Sequence, residues 1–95
     1  FFVNLHKETL GDLPHWAAKQ VFLNMGTLLL GASALGVDAV PMEGMDFNTL
    51  DTEFDLSAKG LAPVAVVSLG YRKEDDFNAA LPKSRLPEEQ IMTVI

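Results

Sequence analysis

The residues from Asp12 to Gly36, DLPHWAAKQVFLNMGTLLLGASALG, constrain the rest of the chain most, because they read as one long helix that is apolar on almost every face. Asp12 is a fitting N-cap, since its carboxylate can accept from the free N–H groups of the first turn, and Pro14 sits where a missing N–H removes nothing. Gly36 supplies the stop. Trp16, Ala18, Val21, Phe22, Met25, Leu28, Leu29, Ala32 and Leu35 keep the i, i+3, i+4 spacing that gathers them on one face. From Val21 onward the other faces offer only Asn24, Thr27, Ser33 and glycines. Such a helix, about six turns long at roughly 1.5 Å per residue, has to be covered all round.

The chain provides little cover. At 95 residues it makes at most one small domain, and a domain of that size buries only roughly 60–65% of the surface its unfolded chain exposes. Its apolar fraction of 48% and a mean hydropathy above zero argue against disorder and exceed what a self-sufficient small domain needs. The expectation is a chain that pairs with another or forms part of a larger fold. It begins FFVNL, without a Met, a basic n-region or a small-residue cleavage site, so no targeting segment is expected.

Composition excludes several function classes. Val21 to Val37 is an uncharged run of nearly spanning length, but Lys19 and Gln20 crowd one end, Asn24 and Thr27 interrupt it, and no Lys/Arg cluster follows. A membrane span is therefore not expected. The absence of Cys removes disulfides, thiolate nucleophiles and thiolate metal sites together, and permits a reducing, cytoplasmic setting, which is the expected location. A net charge of −6 repels a phosphodiester backbone, so nucleic acid is not an expected partner.

Phe1 to Leu10 reads as the end of a helix broken by Gly11. After the long helix, Val37 to Pro41 is a short strand, PMEGMD a turn, and Asp46 a cap for FNTLDTEF, whose Phe47, Leu50 and Phe54 share one face. Ala62 to Leu69 (APVAVVSL) is β-branched and apolar on both faces, the pattern of a central strand. Leu81 to Pro87 (LPKSRLP) is extended, because each proline biases its predecessor away from helix. Gln90 to Ile95 reads as a terminal strand.

Metal and nucleophile motifs are lacking: there is no HExxH, no GxSxG, no Rossmann fingerprint and no P-loop, and Asp46-x-Asn48 puts Leu50 where a calcium loop needs an oxygen. Two small constellations remain. Lys83 and Arg85 stand two apart on a proline-held extended segment, a spacing that sends both cations to one side and suits a phosphate; two solvated surface cations is the competing reading. In Pro41, Met42, Glu43 and Gly44, the glycine permits a close backbone approach to a flat ligand and the turn directs N–H groups outward; an ordinary strand-to-helix turn is the competing reading.

Taken in order, the FF pair, the HWAAKQVFLNMGTLLLGASALGVDAVPMEGMD helix–strand–turn and EDDFNAALPKSRLP resemble the C-terminal portion of the oxygen-insensitive NAD(P)H nitroreductases and dihydropteridine reductases. The resemblance covers residues 1–95, with PMEG and LPKSRLP its most specific parts. It implies an α+β nitroreductase-like fold, with the long central helix against a mixed, mainly antiparallel sheet. It also implies an obligate homodimer with FMN at the interface and ping-pong transfer of two electrons from NAD(P)H to nitroaromatics, quinones or dihydropteridine. On that resemblance Pro41, Met42, Glu43 and Gly44 lie along the isoalloxazine ring, the Glu43 and Gly44 N–H groups near N5 and O4. Lys83 and Arg85 hold the FMN phosphate, and Phe2 lines the substrate pocket of the partner subunit. The terminal strand crosses to the other subunit. The family's N-terminal half, with its RxSxR-type flavin residues, has no counterpart in these residues, so the chain's partner is itself or that half. A competing function is a dimerising α+β module without catalysis, and bound FMN separates the two.

Overall fold

In the computed structural model, which describes residues 1–95, the chain opens with a short helix, α1 (Phe2–Asn4), that widens into a π-helical turn over Leu5–Thr9. Gly11, at φ +66°, then reverses the chain into α2 (Leu13–Ala34). At its far end the N–H of Val37 donates to the Ala32 carbonyl at 2.9 Å and that of Gly36 to Ser33 at 3.1 Å. Gly36 sits at φ +72°, so this is a Schellman stop that needs a residue without Cβ strain, and the expected stop is confirmed.

The start of α2 departs from expectation. The Asp12 side chain makes no capping bond; its carboxylate accepts instead from Nδ1 of His6 at 2.6 Å. A charge-assisted bond to an imidazole competes successfully with the neutral N–H groups of a helix start, and Pro14 has already removed one of them.

β1 (Asp38–Met42) and β2 (Val66–Gly70) form a two-stranded antiparallel sheet, with Asp38 opposite Gly70, Val40 opposite Ser68 and Met42 opposite Val66. β1 packs on α2, where Ala18, Met25 and Leu29 are half-buried and Ala32 is the one fully buried residue. The Ala62–Leu69 run thus pairs only from Val66, and on one side: Pro63 cannot donate to a ladder, and no third strand is present to make β2 central. Pro41 lies within β1, opposite Val67, rather than closing it.

Between the strands, α3 (Phe47–Phe54) begins where the sequence places it. Oδ1 of Asp46 accepts from the N–H groups of Asn48 and Thr49, both at 3.1 Å, and the Thr49 hydroxyl donates to Oδ2 at 2.8 Å. It ends at Asp55, at φ 51°, where Asp51 Oδ1 accepts from the Ser57 N–H at 2.6 Å and Lys59 Nζ donates to the Phe54 carbonyl, also at 2.6 Å. After β2 come a 3₁₀ turn (Phe77–Ala80), the non-helical Leu81–Pro87 segment and α4 (Glu88–Ile91). The terminal strand expected over Gln90 to Ile95 is therefore replaced by a short helix and an unpaired tail. Glu88 and Glu89 in the first turn favour a helix start, and no neighbouring strand offers a ladder.

The fold class is α+β, but the chain has no closed core. Its Cα radius of gyration is 17.5 Å, against about 12 Å for a compact domain of this length. Its accessible surface is 8315 Å², against about 5,400 Å² for a compact monomer of this mass. Large apolar side chains of α2 share in that exposure: Leu23 is 68% exposed, Leu30 73% and Leu35 83%. No helix is long and apolar enough to cross a membrane.

Candidate functional site

β1 delivers the PMEG segment. Pro41 and Met42 are its last two residues, held in register against Val67 and Val66, and Glu43 and Gly44 follow as exposed loop before the cap of α3. A strand fixed on one side and a capped helix on the other leave this short loop little freedom. Neither the Glu43 nor the Gly44 N–H donates to any backbone or side-chain acceptor, so two adjacent donors stand unpaired in an exposed loop. Gly44 does not have a positive φ, and a Cβ built on it meets nothing within 4 Å. Neither backbone strain nor packing inside the chain requires a glycine there, as is also true of Gly26, Gly31 and Gly70.

Lys83 and Arg85 are exposed on the non-helical segment after the 3₁₀ turn, and neither forms an ion pair. Arg85 Nη1 donates only to its neighbour's carbonyl, Ser84 O, at 2.8 Å. Phe2 is exposed on α1, with the Phe1 ring edge-on to it at 5.2 Å. The chain does not gather these groups into a pocket: none of its four cavities is lined by Phe2, Pro41–Gly44, Lys83 or Arg85. The most voluminous cavity, about 540 Å³, is an apolar groove between the first turns of α2 and the Leu61–Val64 segment.

Two clusters escaped the sequence reading. In the first, His6 donates to Asp12 and its ring stacks on Trp16 with centroids 4.7 Å apart and planes 17° from parallel. The His6 bond, above all, holds the Asp12 carboxyl below the usual carboxylate range. In the second, Arg72 binds Asp38 across the end of the hairpin and pulls its carboxyl down to about 2. The first depends on a π-turn and the second on strand register, and neither leaves a spacing signal in the sequence.

The sequence model of the nitroreductase family matches residues 2–71, which include Phe2 and the whole PMEG loop. The oxygen-insensitive NAD(P)H nitroreductase of Salmonella typhimurium is 50% identical over all of this chain, and that of Enterobacter cloacae 50% identical over 98% of it. The major NAD(P)H-flavin oxidoreductase of Aliivibrio fischeri is 33% identical over 99% of it. The chain spans 44%, 43% and 44% of these three relatives, respectively. The match over most of its length and the α+β arrangement agree with the resemblance drawn from PMEG and LPKSRLP: the chain belongs to the nitroreductase family.

Proposed function

We propose that these residues are the C-terminal portion of an FMN-dependent oxidoreductase domain. It takes two electrons from NAD(P)H and passes them, by a ping-pong sequence in a homodimer, to nitroaromatic or quinone acceptors. The observation that carries this reading is the pair of unpartnered N–H groups at Glu43 and Gly44, presented by a loop inside the family match.

The donor set fits such a cofactor. FMN presents acceptor atoms on a flat ring and a doubly charged phosphate; the chain presents unpaired N–H donors beside a glycine without a side chain, and two cations without carboxylate partners. The Glu43 and Gly44 N–H groups would donate to the ring's acceptor edge, Pro41 and Met42 would pack along its face, and Lys83 and Arg85 would bind the phosphate. When bound, FMN supplies the two-electron transfer chemistry. The protein residues hold and orient, and the fixed N–H dipoles favour negative charge on the edge they face. The name of the Aliivibrio relative, a flavin oxidoreductase, supports the choice of flavin.

A second reading, a dimerising module without flavin, draws on the open surface of the isolated chain. The two are separated by joining this chain to the remaining part of the Salmonella relative and measuring NAD(P)H oxidation with a nitroaromatic acceptor. Parallel double-reciprocal lines support the proposal; a soluble, folded dimer without flavin or turnover supports the module.

A further inference from the structure

The π-turn at Leu5–Thr9 is an expensive local conformation, and what it accomplishes is visible around His6. The wide turn, closed by the Leu10 N–H on the Leu5 carbonyl at 2.9 Å, and Gly11 at φ +66° bring Asp12 back to His6. The two residues are then joined twice: the Asp12 N–H donates to the His6 carbonyl at 3.0 Å, and His6 Nδ1–H donates to Asp12 Oδ1 at 2.6 Å. One turn further along α2, Trp16 donates its N–H to the Asp12 carbonyl at 2.9 Å and lays its ring against the imidazole. The His6 side chain is only 15% exposed, in a molecule with almost no interior. Imidazole, carboxylate and indole thus form a closed clamp that holds the π-turn against the start of α2.

We infer that His6 is a positioning residue: clamped by Asp12 and Trp16, it sets where the Phe1–Phe2 pair stands relative to α2. In the complete enzyme it would thereby set the shape of the acceptor pocket that the nitroreductase resemblance has Phe2 line. This rests on the proposed function, with Phe2 taken as the acceptor-pocket residue that the nitroreductase resemblance implies, while the clamp itself rests on the geometry alone. The segment carrying Phe1 and Phe2 has few other ties. The Leu5 N–H bonds back to Phe1 at 3.0 Å, both phenyl rings are exposed, and the tertiary packing of the π-turn is against α2. Without the clamp, only these backbone bonds and the packing of the π-turn on α2 hold the aromatic pair against the rest of the chain. A misplacement of about an ångström arising far from the chemistry can cost on the order of a hundredfold in rate, so a shifted wall would weigh differently on acceptors of different size.

The test uses the joined, complete nitroreductase and compares His6→Ala, Asp12→Ala, the double variant, His6→Asn and Trp16→Phe. His6→Asn keeps an N–H near the Nδ1 position, and Trp16→Phe keeps a ring to stack on. Amide hydrogen exchange in residues 1–11 is expected to rise in His6→Ala and Asp12→Ala and to stay near wild type in Trp16→Phe. The kcat/KM ratio between a bulky nitroaromatic and a small quinone is expected to shift on the order of tenfold. The double variant should shift it no further than either single one, and His6→Asn should recover part of it. A residue that served stability alone would lower yield and leave that ratio unchanged. Unchanged exchange in His6→Ala overturns the clamp, and raised exchange with an unchanged ratio overturns the positioning role. A wild-type protein without flavin or turnover would sink the proposed function instead, and the exchange measurement would then decide the clamp by itself.

Discussion

Arg72 closes the open end of the β1–β2 hairpin on Asp38. Its backbone N–H donates to Oδ2 at 2.9 Å and its Nε to both carboxylate oxygens at 3.1 and 3.0 Å, while Nη2 reaches Oδ1 as well. Asp38 is the first residue of β1 and lies opposite Gly70, two residues before Arg72. The fork of the guanidinium therefore pins the strand register just where β1 leaves α2, and through it the position of the PMEG loop at the other end.

The pH dependence follows from the same pair. The Asp38 carboxyl is held at about 2 in the folded chain, below its ordinary 3.8. Between those values the unfolded chain binds the extra proton, so stability rises with pH there. The contribution is complete above 3.8 and is lost as pH falls through about 2. In the complete protein, denaturation midpoints measured from about pH 5 to about pH 2 should fall less steeply in Asp38→Asn than in wild type. Equal slopes would show that the pair does not form.

Gly36 should not tolerate a side chain. At φ +72° an alanine adopts a backbone that L residues avoid, with no compensating contact, since its Cβ meets nothing within 4 Å. Gly36→Ala should lower the unfolding free energy of the complete protein by roughly 1–2 kcal/mol, read from the denaturant midpoint at constant m. Stability equal to wild type would mean that the Schellman stop is not kept.

Lys83 and Arg85 should matter only when FMN is present. Arg85→Ala should weaken FMN binding by roughly 1–3 kcal/mol, the scale of a charged hydrogen bond. Lys83→Ala should do less, because a flexible ammonium gives up a less oriented contact. Flavin titration of the complete apoprotein provides the comparison; wild-type affinity in both variants would remove the phosphate assignment.

What the sequence made legible was local. The Asp46 cap, the limits of the Phe47–Phe54 helix and the glycine stop are each decided within a few residues, and each is found where expected. The departures are cases where a distant group won. His6 took the Asp12 carboxylate from the helix start, and strand-like residues at 62–65 and 92–95 found no ladder to join. The site was legible as motifs and not as a pocket. PMEG and LPKSRLP are separate exposed segments here, and the apolar faces of α2 that any larger assembly must cover stand open.

The most direct measurement is flavin absorbance per subunit in the complete protein carrying Glu43→Gln or Gly44→Val. The ring contact proposed here runs through backbone N–H groups, which a change at the Glu43 side chain leaves in place. Gly44 is not strained, and its Cβ position is open inside the chain, so a valine there should leave the fold intact and obstruct only what approaches from outside. The expected result is near wild-type flavin in Glu43→Gln and a sharp loss in Gly44→Val, both folded by circular dichroism. Flavin stripped by Glu43→Gln and retained by Gly44→Val would contradict the account, because the contact would then run through the carboxylate.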